Sequence, residues 1–116
     1  MSSHQPEAGK EETQLKQRIE WVEYMEAVKD RRWQLVKTLD QALSQLVDSE
    51  EDYQRLLDYY GSQEFRQDVD DSNQGIIPAE VKQGVLSEDE VFNLVGANYD
   101  LSVRLIEVAA LLLKHP

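Results

Sequence analysis

Apolar residues recur at helical spacing along most of this chain. Between about Glu12 and Val47 there is neither Gly nor Pro, and the apolar positions are Leu15, Ile19, Val22, Met25, Trp33, Val36, Leu39, Leu43, Leu46 and Val47. Spacings of three and four put these side chains on one face of a helix. Laid out at 100° per residue, the stripe drifts steadily backward, so its repeat lies nearer 3.5 than 3.6. That is the period of helices that pack in left-handed supercoils. Lys29 and Arg32 interrupt the stripe, and their aliphatic stems are expected to lie along the seam with the charged heads in water.

The pattern then shortens. Ser49, followed by Glu50, Glu51 and Asp52, reads as an N-cap with acids in the first turn, where the helix dipole favours them. The helix it opens presents Tyr53, Leu56, Leu57 and Tyr60, and Gly61 is expected to end it in the left-handed conformation. Ser62 caps a short third helix carrying Phe65 and Val69 inward. Pro78 suits the first turn of another short helix over 79–83, which Gly84 stops. The strongest local signal comes next. Ser87 with Glu90 three residues later forms a capping box, and Leu86 opposite Val91 forms a hydrophobic staple, so a last helix should run from Glu88 to about Lys114. Its second half, Leu101 to Lys114, is apolar over well over half its circumference, as in helices buried on more than one side.

These elements predict an all-α fold: a long antiparallel helical hairpin or bundle with a short helical corner between the long helices. Residues 1–11 are polar and aperiodic and read as a disordered tail, leaving 12–116 as a single helical domain. At 116 residues the chain can bury a modest core. It contains no cysteine, which removes disulfides, thiolate metal sites and cysteine nucleophiles and points to a cytoplasmic setting. No stretch is apolar enough for a membrane span, and the N-terminus lacks the pattern of a signal peptide. The net charge of −11 is concentrated in residues 48–71, which carry −7 of it. A field of that sign repels phosphates, so neither nucleic acid nor an anionic membrane is an expected partner.

Asp68 to Glu80, "DVDDSNQGIIPAE", invites a reading as a calcium loop. An EF-hand places oxygen ligands at its first, third and fifth positions, Gly at the sixth and a bidentate Glu at the twelfth. From Asp70 the chain supplies Asp70, Ser72, Gln74 and Gly75 in register, but Glu80 is eleventh, Val81 twelfth and Pro78 ninth. Asp70, Ser72, Gln74 and Glu80 are therefore a weak metal set. Glu20, Glu23 and Glu26 have the spacing of a magnesium-binding helix, without a matching acidic pair on the last one. The two histidines, His4 and His115, lie near the chain ends, so Ser–His and Cys–His chemistry is excluded. No phosphate-binding glycine loop is present, and no cofactor is expected.

Tyr59, Tyr60, Gly61, Ser62 and Phe65, then Gly75, Ile77 and Pro78, then Gly84, Val85, Leu86, Ser87, Glu88 and Asp89, together resemble a family of small, mostly bacterial helical proteins: the domain of unknown function numbered 4298. The similarity spans roughly residues 15 to 108, with Phe65 where that family has Trp more often and Ile77 in place of Leu. The resemblance supports the helical architecture and implies no activity, cofactor or catalytic residue. Helix stops, caps and packing account for most of these residues. Tyr59, Asp68, Lys82 and Asp89 are left over and form a candidate polar contact site. The expected function is a non-enzymatic interaction or scaffold module, with a homodimer or an unidentified protein as partner. The alternative is a calcium- or magnesium-dependent sensor or hydrolase using the acidic 48–80 region.

Overall fold

The computed structural model of the protein describes residues 4–115, all helix, turn or irregular backbone, with no strand among them. The described residues form four α-helices: α1 (His4–Asp48), α2 (Glu50–Tyr60), α3 (Gln63–Asn73) and α4 (Glu90–Leu113). A 3-10 turn at Gly84–Leu86 lies between the last two. The chain divides into two compact units, Met1–Glu50 and Glu51–Pro116.

The first unit is α1. It extends the predicted long helix backward through residues 4–11, the stretch read from sequence as a tail; residues 1–3 of that tail lie outside the described residues. Pro6 falls in the first turn, where the N–H that proline lacks has no intrahelical partner. Gly9 is tolerated in the same helix, and its carbonyl accepts a 2.7 Å hydrogen bond from Thr13 Oγ1. Lys29, in the interrupted stripe, pairs with Glu26 and lies 3.4 Å from Asp30. The Glu26 hydrogen bond raises the Lys29 pKa above its ordinary value. Lys37 Nζ sits 5.8 Å from the centre of the Trp33 ring, a cation–π contact one turn apart.

Ser49 alone separates α1 from α2, and it is not the cap the sequence suggests. Its hydroxyl donates to the Leu46 carbonyl at 2.7 Å, and its N–H is taken by Gln45 and Leu46. Among the described residues its hydroxyl makes no bond to an α2 amide, so the acids of the α2 first turn carry the dipole compensation alone.

The second unit holds the helical corner. Gly61 ends α2, but not in the left-handed region, since the described residue with positive φ is Gly75, at +76°. Its N–H bonds the Leu57 carbonyl, an ordinary helical bond that needs no left-handed residue. Ser62 caps α3 as predicted: its backbone is extended and its hydroxyl accepts from Phe65 N–H at 3.2 Å. The third helix outruns its sequence reading and continues to Asn73. The left-handed Gly75 then turns the chain, with Ile76 N–H closing onto the Asp71 carbonyl at 2.9 Å. Pro78 does not open a helix. Val81 N–H bonds the Pro78 carbonyl, Gln83 Nε2 donates to the same oxygen at 2.9 Å, and residues 79–83 form a turn followed by irregular backbone. A glutamine side chain that claims this carbonyl competes with the next intrahelical bond.

Gly84 accordingly starts the 3-10 turn rather than stopping a helix. That turn packs against both α3 and α4. Ser87 is extended, and its hydroxyl accepts from Glu90 N–H at 3.3 Å while donating to the Gly84 carbonyl at 2.8 Å. Half of the predicted capping box forms. The other half lacks its donor, because Ser87 N–H already closes the 3-10 turn on Gly84. Val91, the expected staple residue, is 3% exposed, and it is the buried apolar residue of the described chain.

Candidate functional site

The corner between α2 and α3 is held by an aromatic cluster with one polar tie. Ser62 fixes the angle between the helices, placing Phe65 5.4 Å from Tyr59 in an edge-to-face contact and 5.2 Å from Tyr60 in a tilted one. Such ring pairs contribute on the order of 0.5–1.5 kcal/mol beyond their area. The same geometry brings the Tyr59 hydroxyl onto Asp68, donating to Oδ2 at 2.5 Å. Partial desolvation first, and then this hydrogen bond to a carboxylate, push the Tyr59 pKa up to about 12. The Glu64 carboxylate adds to the same upward shift, so a tyrosinate here would be repelled by both Asp68 and Glu64.

Of the four residues set apart as a polar contact site, the fold joins Tyr59 and Asp68. Lys82 and Asp89 make no ion pair or side-chain hydrogen bond among the described residues; Asp89 stands at the N-terminus of α4 without capping it. The metal set is dispersed by the backbone. Asp70 and Ser72 lie on α3, two residues apart and so about 200° around the helix, where side chains cannot converge on one ion. Ser72 donates to Gln83, Gln74 is the C-cap of α3 in helical conformation, and Glu80 belongs to the Pro78 turn. Among the described residues no group of three or more His, Cys, Asp or Glu side chains could hold a metal ion. The EF-hand register fails because α3 does not stop where the loop spacing requires.

An open groove of about 620 Å³ lies beside the corner, lined by Tyr60, Phe65, Val69 and Leu86 together with Arg66, Asp70 and Glu88. The sequence pattern placed Tyr60, Phe65, Val69 and Leu86 on inward faces and Glu88 in the family motif, but gave Arg66 no role. Arg66 is one of two cations in the acidic 48–71 segment. Arg55, the other, is bound to Asp52 at 2.6 Å, whereas Arg66 has no ion pair among the described residues.

α4 carries a further exposed apolar surface. Phe92, Leu94, Tyr99, Leu101, Ile106, Leu111, Leu112 and Leu113 are all exposed. Among the described residues no helix is long and apolar enough to cross a membrane. The molecule is thus an all-α protein built from one long helix and a capped helical corner leading into an apolar last helix. The model of the family described as Domain of unknown function (DUF4298) matches residues 22–108, and the chain belongs to that family. The match begins slightly later than the span marked out by the sequence motifs and ends at the same residue. No curated protein and no solved structure matches the chain.

Proposed function

We propose that this protein is a non-enzymatic interaction module that presents apolar helix surface to a protein partner. The observation that carries the reading is the exposure of Phe92, Tyr99, Ile106 and Leu113 on α4. Large side chains in contiguous exposed patches of several hundred Å² mark contact surfaces in water-soluble proteins. The corner supports the same reading: its polar residues are used as caps and ties, with Ser62 on Phe65, Ser87 on Glu90 and Tyr59 on Asp68. Tyr59 is shifted away from ionisation at neutral pH, the opposite of what a general base or nucleophile needs.

The test is differential capture. Immobilised full-length protein and its Phe92→Asp/Tyr99→Asp variant are exposed to extract of the native host after in-cell crosslinking. A crosslinked protein recovered with the first and depleted at least tenfold with the second is the expected result. Equal recovery with both would remove the apolar surface of α4 from the account.

A further inference from the structure

The exposed residues of α4 are not scattered. Its four most exposed large apolar side chains are Phe92, Tyr99, Ile106 and Leu113, at 68%, 69%, 72% and 74%. They recur every seven residues. Three residues after each of the first three stand Val95, Ser102 and Ala109, so the helix displays a heptad seam with one bulky row and one small row. We infer that this seam is the contact surface for a second copy of the same chain, with the two α4 helices antiparallel. The inference rests on the interaction-module reading and names its partner.

Orientation follows from side-chain size. In a parallel pair each row meets itself, so Phe92 faces Phe92 and Tyr99 faces Tyr99, while Ser102 and Ala109 face their own small counterparts across a gap. In an antiparallel pair the bulky row meets the small row, which is how helix interfaces interdigitate without voids. A register that keeps nearly the full helix in contact sets Phe92 against Ala109, Tyr99 against Ser102 and Ile106 against Val95, with Leu113 beside the other copy's Glu88 at the helix end. Two-fold symmetry repeats each layer once. The area is sufficient: aromatic side chains bury roughly 150–250 Å² each, and the four rings of a pair, with two copies of Ile106 and Leu113, approach the about 1,000 Å² that a specific interface requires.

Charge selects the same arrangement. α4 begins at an acidic cluster, Glu88, Asp89 and Glu90, and ends at Lys114. Antiparallel pairing puts Lys114 beside the other copy's Glu88 and Asp89 at both ends, whereas parallel pairing stacks the two acidic clusters on each other. Asp89 and Lys114 make no ion pair among the described residues, and Asp89 makes no side-chain capping bond. Both are available for this contact.

Sedimentation equilibrium of the full-length protein at micromolar concentration tests association, and cysteine crosslinking tests orientation in a chain that has no cysteine of its own. The expected result is a dimer of the 13.4 kDa chain whose dissociation constant rises at least a hundredfold in Ile106→Glu, with unchanged helical circular dichroism. Val95→Cys and Ile106→Cys, mixed and oxidised, should give a covalent dimer. Each alone should not, because identical positions lie roughly 16 Å apart along the axis in this register, beyond disulfide reach. Self-crosslinking of each variant would overturn the antiparallel pairing. A wild-type dimer insensitive to Ile106→Glu and unable to crosslink would overturn the α4 seam while leaving an interaction module with a different surface. A wild-type monomer would overturn self-association, and the differential capture above would then decide the broader reading separately.

Discussion

Removing one oxygen tests the polar tie of the corner. Tyr59→Phe keeps the ring that packs edge-on against Phe65 and deletes only the hydroxyl that donates to Asp68 at 2.5 Å. A tyrosine pKa raised from 10.0 to about 12 corresponds to at most about 2.7 kcal/mol of preference for the neutral form. Tyr59 is only partly buried, so solvent screening brings the net value nearer about 1 kcal/mol, within the range for a single hydrogen bond. The folded-state pKa is raised, so this stabilisation is complete below about pH 10 and is lost as pH rises through about 12. The tyrosinate has no proton to donate and faces the carboxylates of Asp68 and Glu64. Urea denaturation should therefore place the variant about 1 kcal/mol below the wild type at pH 8, with the gap closing as pH approaches 12. Absorbance titration of the five tyrosines should show a late-ionising group that is missing from the variant. A gap that is absent at pH 8, or that widens in alkali, would refute the assignment of the pair as a stabilising contact.

The remaining expectations concern the corner's backbone and core, read by thermal or denaturant melting. Ser87→Ala deletes the acceptor for Glu90 N–H and should cost on the order of 1 kcal/mol; no loss would mean that the hydroxyl contributes nothing to α4. Gly75→Ala forces a Cβ into φ +76° and should cost about 1–2 kcal/mol, whereas Gly61→Ala, which meets only Leu57 and Asp58 carbonyls at 3.8 and 4.0 Å, should be neutral or slightly stabilising. The opposite order would misplace the left-handed turn. Val91→Ala removes two methyl groups from the buried position of the corner and should cost roughly 2 kcal/mol; a change under half of that would mean Val91 is solvated in solution.

Helix identity was legible because it is local. Stripes at spacings of three and four marked α1, α2 and α4, and Ser62 and Ser87 were readable as caps because a hydroxyl three residues before an amide finds that amide without help from the rest of the chain. The family motif was readable for a related reason, since its glycines, serines and aromatics fall at the corner where local geometry is most demanding. Exceptions arose wherever two local options competed. Ser49 turned back onto α1, the Pro78 carbonyl was taken by Gln83, and α3 ran on to Asn73, carrying Asp70 and Ser72 onto a helix and away from a metal loop.

Composition and periodicity by themselves determined an all-α chain without cysteine chemistry, acidic in its middle, with an apolar last helix. The tertiary structure decided which side chains meet. Tyr59 and Asp68 are nine residues apart, and no periodicity announces their hydrogen bond; it exists because Ser62 sets the angle at which α3 leaves α2. Gly75 rather than Gly61 takes positive φ because a tight turn follows α3 directly, and the place of that turn depends on where the helix stops, which the helix's own sequence left open. The heptad of Phe92, Tyr99, Ile106 and Leu113 was present in the sequence throughout. It became a surface only once Val91, one position and about 100° from Phe92 on the helix, was seen to be buried and these four were seen to be exposed.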